Sequence, residues 1–187
     1  MKRSNWTWLI VGAIVVVVVL LGVSSYNNLV SAETNVESKL STIDVDLQRR
    51  ADLIPNLVNT VKGYAAHEQE VLRAIADARS RLVGAGSAQE LADADAELSS
   101  ALARLLVVVE NYPTLKADAQ FRQLMDELAG TENRIAVSRK DYNDAATAYN
   151  TRVRRFPSAI FAGLFGFERT PLFEAREGAG TVPEVTF

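Results

Sequence analysis

Cysteine is missing from this chain, and histidine occurs once. No disulfide, thiolate nucleophile, lipidated cysteine or cysteine-held metal can form, and His67 alone cannot build a multi-histidine metal site. Alternating β-branched runs are essentially absent, which excludes a sheet protein. Positive charge is also short: 20 Lys and Arg stand against 23 Asp and Glu, a net charge of −3. Without Lys2 and Arg3 the remainder is about −5, so a basic nucleic-acid face is not expected. The chain also lacks a phosphate-binding glycine loop, an H-E-x-x-H pair, a G-x-S-x-G elbow and a paired-metal carboxylate pattern. No catalytic, cofactor or metal residue is therefore assigned. His67 and Glu68 are helix neighbours that point about 100° apart and form no dyad. Glu68 is expected to be a semi-buried carboxylate paired with Arg50, Arg134 or Arg139, a kind of pair better attested as a register device than as a stabiliser.

What the chain does have is one long apolar run. Leu9–Val23 reads LIVGAIVVVVVLLGV without a charge. Counted from Trp6 it spans roughly 27 Å as a helix, enough for a bilayer core. Trp6 and Trp8 stand where interfacial aromatic anchors are expected. Lys2 and Arg3 precede the run, and the next basic residue is Lys39. The positive-inside rule then predicts a single-pass anchor over residues 1–25, with the rest of the chain on the extracytoplasmic side. The rival is a cleaved signal peptide with a small-residue site at Val30-Ser31-Ala32. That site lies about seven residues beyond the apolar run, rather far for cleavage, so an anchor is expected.

Beyond the anchor, apolar residues recur every seven positions. One row is Val36, Ile43, Arg50, Leu57, Tyr64, Val71, Ala78, and its partner is Leu40, Leu47, Ile54, Val61, Glu68, Ile75, Leu82. They predict a helix of ~80 Å, from about Asn28 to Leu82. Pro55 should kink or break it near Asp52, which could cap a second segment. Gly84-Ala85-Gly86-Ser87 reads as a turn, with Ser87 capping the next helix and Glu90 completing a capping box. That helix carries Leu91, Leu98, Leu105 and Tyr112 and ends at Asn111-Tyr112-Pro113. The last, from about Lys116, carries Phe121, Leu128, Ile135, Tyr142, Tyr149 and Phe156 and stops at Pro157. The tyrosines are read as core residues with hydroxyls at the bundle edge. Arg79, Arg81, Arg152, Arg154 and Arg155 are read mostly as solvated faces.

The predicted fold is all-α: a transmembrane helix followed by an antiparallel bundle of three or four long, heptad-patterned helices over residues 26–156. Residues 157–173 form an apolar C-terminal segment too short to span a membrane. It either folds against the bundle or docks on a membrane surface or a neighbouring protomer. Phe156, Phe161, Phe165 and Phe167 are its candidate contact residues, and Arg152, Arg154 and Arg155 beside it suit anionic lipid. A poorly ordered tail is expected over residues 174–187.

Several strings are more specific. Arg49-Arg50-Ala51-Asp52-Leu53-Ile54-Pro55-Asn56-Leu57-Val58 continues through Val61-Lys62-Gly63-Tyr64-Ala65 to His67-Glu68. Asn111-Tyr112-Pro113, Leu115-Lys116-Ala117, Phe121 with Leu124, and Thr131-Glu132-Asn133-Arg134-Ile135-Ala136 follow. Arg139 with Tyr142-Asn143, then Tyr149-Asn150, Phe156-Pro157 and Gly166-Phe167 close the series, and Tyr26-Asn27 with Leu29-Val30 stands ahead of it. Together they resemble the bacterial LemA family over nearly the whole chain. Ala146 departs from the more usual valine and should loosen the core slightly.

The resemblance implies a helical bundle on one membrane anchor in the cell envelope, with no established catalytic activity. Relatives occur beside membrane proteases or in magnetosome membranes. The motif residues Arg50, Asp52, Pro55, Asn56, Tyr64, Glu68, Asn133, Arg134, Tyr142 and Asn143 are expected to set helix geometry and interhelical packing. The lipid bilayer, further copies of the chain and a second membrane protein are the expected partners, and nucleic acid is not.

Overall fold

A computed structural model of the chain describes residues 2–65 and 67–173. The expected loose tail over 174–187 lies outside the described residues. Six helices and no strand occur among the described residues: α1 Lys2–Tyr64, α2 Gln69–Gly84, α3 Ala88–Val109, α4 Pro113–Ala117, α5 Ala119–Arg154 and α6 Ser158–Phe165. The all-α class and the single long apolar N-terminal helix are as the sequence predicts. The chain divides into two compact units, Met1–Lys39 with Tyr142–Leu172, and Leu40–Asp141 with Phe173–Phe187.

The unit built on Leu40–Asp141 is an up-down-up-down bundle of α1, α2, α3 and α5. Its cross-links descend in antiparallel order: Asp46 faces Ser138, Arg49 faces Glu127 and Tyr64 faces Asp118. The seven-residue rows form most of the core, although Tyr64, expected inside, is 45% exposed and Leu40, Val71 and Tyr112 are half-buried. Ile43, Leu47, Ile54, Leu57 and Val61 of α1 meet Leu72, Ile75, Ala78 and Leu82 of α2, Leu98 and Leu105 of α3, and Phe121, Leu128 and Ile135 of α5, all buried. Burying such side chains contributes about 1.5–3 kcal/mol each and supplies most of the driving force. Ser87 caps α3: its Oγ accepts the Glu90 N–H at 3.2 Å, and the Glu90 carboxylate accepts the Ser87 N–H at 3.2 Å and the Gly86 N–H at 2.8 Å. Those backbone donors hold the Glu90 carboxyl below its ordinary range.

One break is misplaced by the sequence. Pro55 neither breaks α1 nor starts a new segment at Asp52; it lies inside the helix. A proline at 55 cannot donate to the carbonyl of residue 51. The freed Ala51 carbonyl instead accepts from Nε of Arg79 on α2 at 2.8 Å. Arg79 thus replaces the missing helix donor from across the interface, and it is half-buried rather than a solvated face residue. Asp52 is exposed and accepts from Gln48 at 2.9 Å. The chain breaks later, between Tyr64 and Gln69.

In the other unit, the first part of α1 runs antiparallel to the end of α5. Tyr149 reaches Glu33 and Arg152 reaches the Asn28 carbonyl. Leu29, Ala32, Val36, Tyr142, Ala145, Ala146 and Tyr149 are buried between them, and Ala146 is fully enclosed. Phe156, expected in the α5 row, is instead 77% exposed because α5 ends at Arg154. The chain after α6 folds back along α5. Asn150 and Thr170 exchange two hydrogen bonds of 2.8 and 2.9 Å, and the Tyr142 hydroxyl donates to the Pro171 carbonyl at 3.0 Å.

Candidate functional site

Three groupings of polar or aromatic side chains stand out. The first is a charged cluster in the bundle interior. Asp95 of α3 is 1% exposed and binds two guanidiniums, Arg50 of α1 through one carboxylate oxygen and Arg139 of α5 through the other at 2.8 Å. Arg50 also meets Glu132 at 2.6 Å, and Arg139 lies over the Phe173 ring, 5.5 Å from its centroid. Two positive and two negative charges are brought together, so the cluster is balanced. Such a pair fixes helix register because sliding one helix strands a buried charge. The expected pairing of Glu68 with Arg50, Arg134 or Arg139 is therefore corrected: Asp95 takes two of those arginines. Arg134 lies near Asp46 at 3.9 Å and donates to Thr131 at 3.2 Å.

Asp95 was legible in principle. It stands four residues after Leu91 and three before Leu98, within the buried stripe of α3. Arg139 holds the same position between Ile135 and Tyr142 on α5.

The second grouping closes one end of the bundle. The Tyr112 hydroxyl donates to Glu68 at 2.9 Å, and the Tyr64 hydroxyl donates to Asp118 at 3.0 Å. Asp118 precedes α5 and accepts the Phe121 N–H at 2.8 Å, which caps that helix. That backbone donor, then Tyr64, holds the Asp118 carboxyl below its ordinary range. Hydrogen bonding to the carboxylates raises both tyrosines, Tyr64 through Asp118 and Tyr112 through Glu68. The family-like strings around 64–68 and 111–118 are thus two halves of one corner. His67 is exposed, while Glu68 turns to Tyr112. Of the other motif residues, Asn56 and Asn133 are exposed, Asn143 is half-buried and Tyr142 is buried.

The third grouping joins α6 to the end of the apolar run. Tyr26 packs edge-on against Phe165 and Phe167, with ring centroids 5.0 and 5.7 Å away. A Cβ at Gly22 would stand 3.0 Å from Cε1 of Phe161. Glycine at 22 therefore lets the ring approach the α1 backbone. The apolar run itself is bare: Trp6, Trp8, Leu9 and Val23 are all exposed.

Two grooves open on the surface of the bundle unit. An open groove of about 740 Å³ is lined by Arg49, Arg122, Arg134, Asp126 and Glu127, charges that largely offset one another. A second, of about 430 Å³, is lined by Leu106, Phe121 and Met125 with flanking charges. Among the described residues no three His, Cys, Asp or Glu gather as a metal site.

The LemA family model matches residues 39–187. Two magnetosome proteins named MamQ from Paramagnetospirillum magneticum are each 33% identical, across 86% of this chain and 68% of theirs. Protein LemA of Metamycoplasma hominis is 26% identical across 81% of this chain and 69% of its own.

Proposed function

The chain belongs to the LemA family, and from that premise we propose that it is a non-enzymatic, membrane-anchored scaffold of the bacterial cell envelope that self-associates through its helices. One observation carries the reading. The helix that holds the bare apolar run is the helix that supplies Ile43, Leu47, Ile54 and Leu57 to the bundle core, without a break from Lys2 to Tyr64. Anchor and bundle thus share one continuous helix in place of a flexible linker. The run crosses the membrane once, with Lys2 and Arg3 on the cytoplasmic side and the bundle on the extracytoplasmic side.

The carboxylates of the Asp95 cluster and of the Tyr64 and Tyr112 corner are engaged by guanidiniums and hydroxyls of the bundle itself, which suits architecture better than chemistry. Self-association has its surface in Leu106 and Val107 of α3, which are exposed side by side next to the groove lined by Leu106, Phe121 and Met125. The mixed-charge groove at Arg49, Arg122 and Arg134 favours a second reading, an adaptor that holds another envelope protein such as a membrane protease.

Photo-crosslinking from Val107 in native membranes separates the two. The scaffold reading expects adducts at multiples of the chain's own mass. Adducts with other proteins alone would overturn it in favour of the adaptor.

A further inference from the structure

We propose that α6 is an interfacial helix that lies on the bilayer surface and binds anionic phospholipid headgroups, next to the point where α1 leaves the membrane. The inference rests on the membrane-spanning reading of Leu9–Val23.

Position comes first. α6 and the residues after it touch α1 at Gly22, through Phe161, and at Tyr26, through Phe165 and Phe167. Gly22 lies within the apolar run and Tyr26 only ~6 Å beyond it along the helix. The contact therefore straddles the boundary between hydrocarbon and headgroups. Composition comes second. Ala162 is buried and Phe161 half-buried on the α1 side, while Ile160 and Leu164, one turn apart, are 61% and 74% exposed. They form an exposed apolar edge, and Phe156 just before the helix and Phe165 at its end are 77% and 50% exposed, more apolar surface than a chain in water would leave bare. Charge comes third. Arg154 and Arg155 just before α6 in the chain and Arg169 just after it line one open groove of about 440 Å³, with Asn150 and Thr151 as further polar groups. Apolar residues flanked by guanidiniums match the acyl and phosphate layers of an anionic leaflet.

A second copy of the chain is the rival occupant. Lipid suits the patch better, because α6 packs at Gly22 where the apolar run ends and guanidiniums flank the helix in the chain.

The cysteine-free sequence makes the test clean. Single nitroxide labels at Leu164→Cys, Val16→Cys and Val137→Cys are placed in the full chain, reconstituted in vesicles of phosphatidylcholine with phosphatidylglycerol. Collision with oxygen reports lipid, and collision with a water-soluble nickel chelate reports water. The expected result is oxygen access with nickel shielding at 16 and 164, and nickel access at the exposed bundle position 137.

Nickel access at 164 with 16 still shielded would overturn the interfacial helix and leave the anchor standing. Nickel access at 16 would overturn both. Shielding of 164 from both reagents would mean that protein covers it, and would overturn the proposal in favour of a second copy. Replacing Arg154, Arg155 and Arg169 with glutamine, or omitting phosphatidylglycerol, is expected to shift the label toward water, by about fivefold per charge removed. An unchanged profile would overturn the headgroup assignment.

Discussion

The two units of this chain are held together by different chemistry. Among the described residues, the buried polar ones are Arg50, Asp95 and Thr131 in the bundle unit and Ser25 in the unit that carries the apolar run. Ions lock the first, with Asp95 shared between two guanidiniums. Tyrosine hydroxyls, an asparagine–threonine pair and aromatic edges lock the second. An ion network punishes any slip of register, because a displaced charge stays buried without a partner. Alanines, rings and backbone-directed hydrogen bonds penalise a slip less steeply. Helix register is thus specified most stringently in the bundle, while among the described residues the region continuous with the anchor fully buries no charged side chain.

Removing Asp95 is the sharpest way to break this contrast. Asp95→Ala removes the carboxylate shared by two guanidiniums, leaving Arg50 only Glu132 and Arg139 only the Phe173 ring, and is expected to cost about 3–5 kcal/mol in denaturant unfolding, against about 1 kcal/mol for Tyr142→Phe in the other unit. Equal losses would remove the distinction. The proline bridge comes next. Arg79→Ala strands the Ala51 carbonyl and should cost about 1.5–3 kcal/mol, the range for hydrogen bonds to charged groups. In a Pro55→Ala background, where the helix donor is restored, most of that loss should disappear. A double-mutant cycle without coupling would show that Arg79 does not stand in for the missing N–H.

A smaller effect belongs to the anchor-side unit. Burial, with the Glu33 charge adding to it, pushes the Tyr149 hydroxyl from 10.0 up to about 12, and burial raises Tyr142 as well. The native state favours the neutral phenol, so this contribution is whole below pH 10 and is lost as pH rises from 10 toward about 12. Tyr149→Phe should flatten that alkaline loss in a stability–pH series, and an unaltered loss would place the sensitive group elsewhere. The smallest change is Ser87→Ala, expected to remove about 1 kcal/mol through the α3 cap, read as a shift in the denaturant midpoint.

The seven-residue rows made the bundle core legible, because burial follows helical period wherever packing is apolar. Val36, Ile43, Leu57, Leu98 and Ile135 are all inside, as spacing alone requires. The Ser87–Glu90 box was legible because a cap is a local device. What stayed hidden depends on partners far along the chain. Pro55 reads as a breaker until Arg79 is seen beside the freed carbonyl, 28 residues away. Arg50 reads as a flaw in a row until Asp95 arrives 45 residues on. The strap that pairs Thr170 with Asn150 carries no periodic signal, and Gly22 looks like any glycine in an apolar run until Phe161 packs on it. Of the candidate contact residues, Phe156 is exposed, Phe161 and Phe167 turn partly toward α1, and Phe165 packs on Tyr26 while staying half open to solvent. The segment therefore both folds back and presents an apolar face.

The claim that matters most is that copies of this chain assemble in the membrane. Single-fluorophore labelling at one introduced cysteine, followed by counting photobleaching steps in dilute vesicles, tests it directly. The account predicts two or more steps per occupied vesicle at protein densities too low for chance co-residence. Single steps throughout, in vesicles where the chain is inserted, would contradict it.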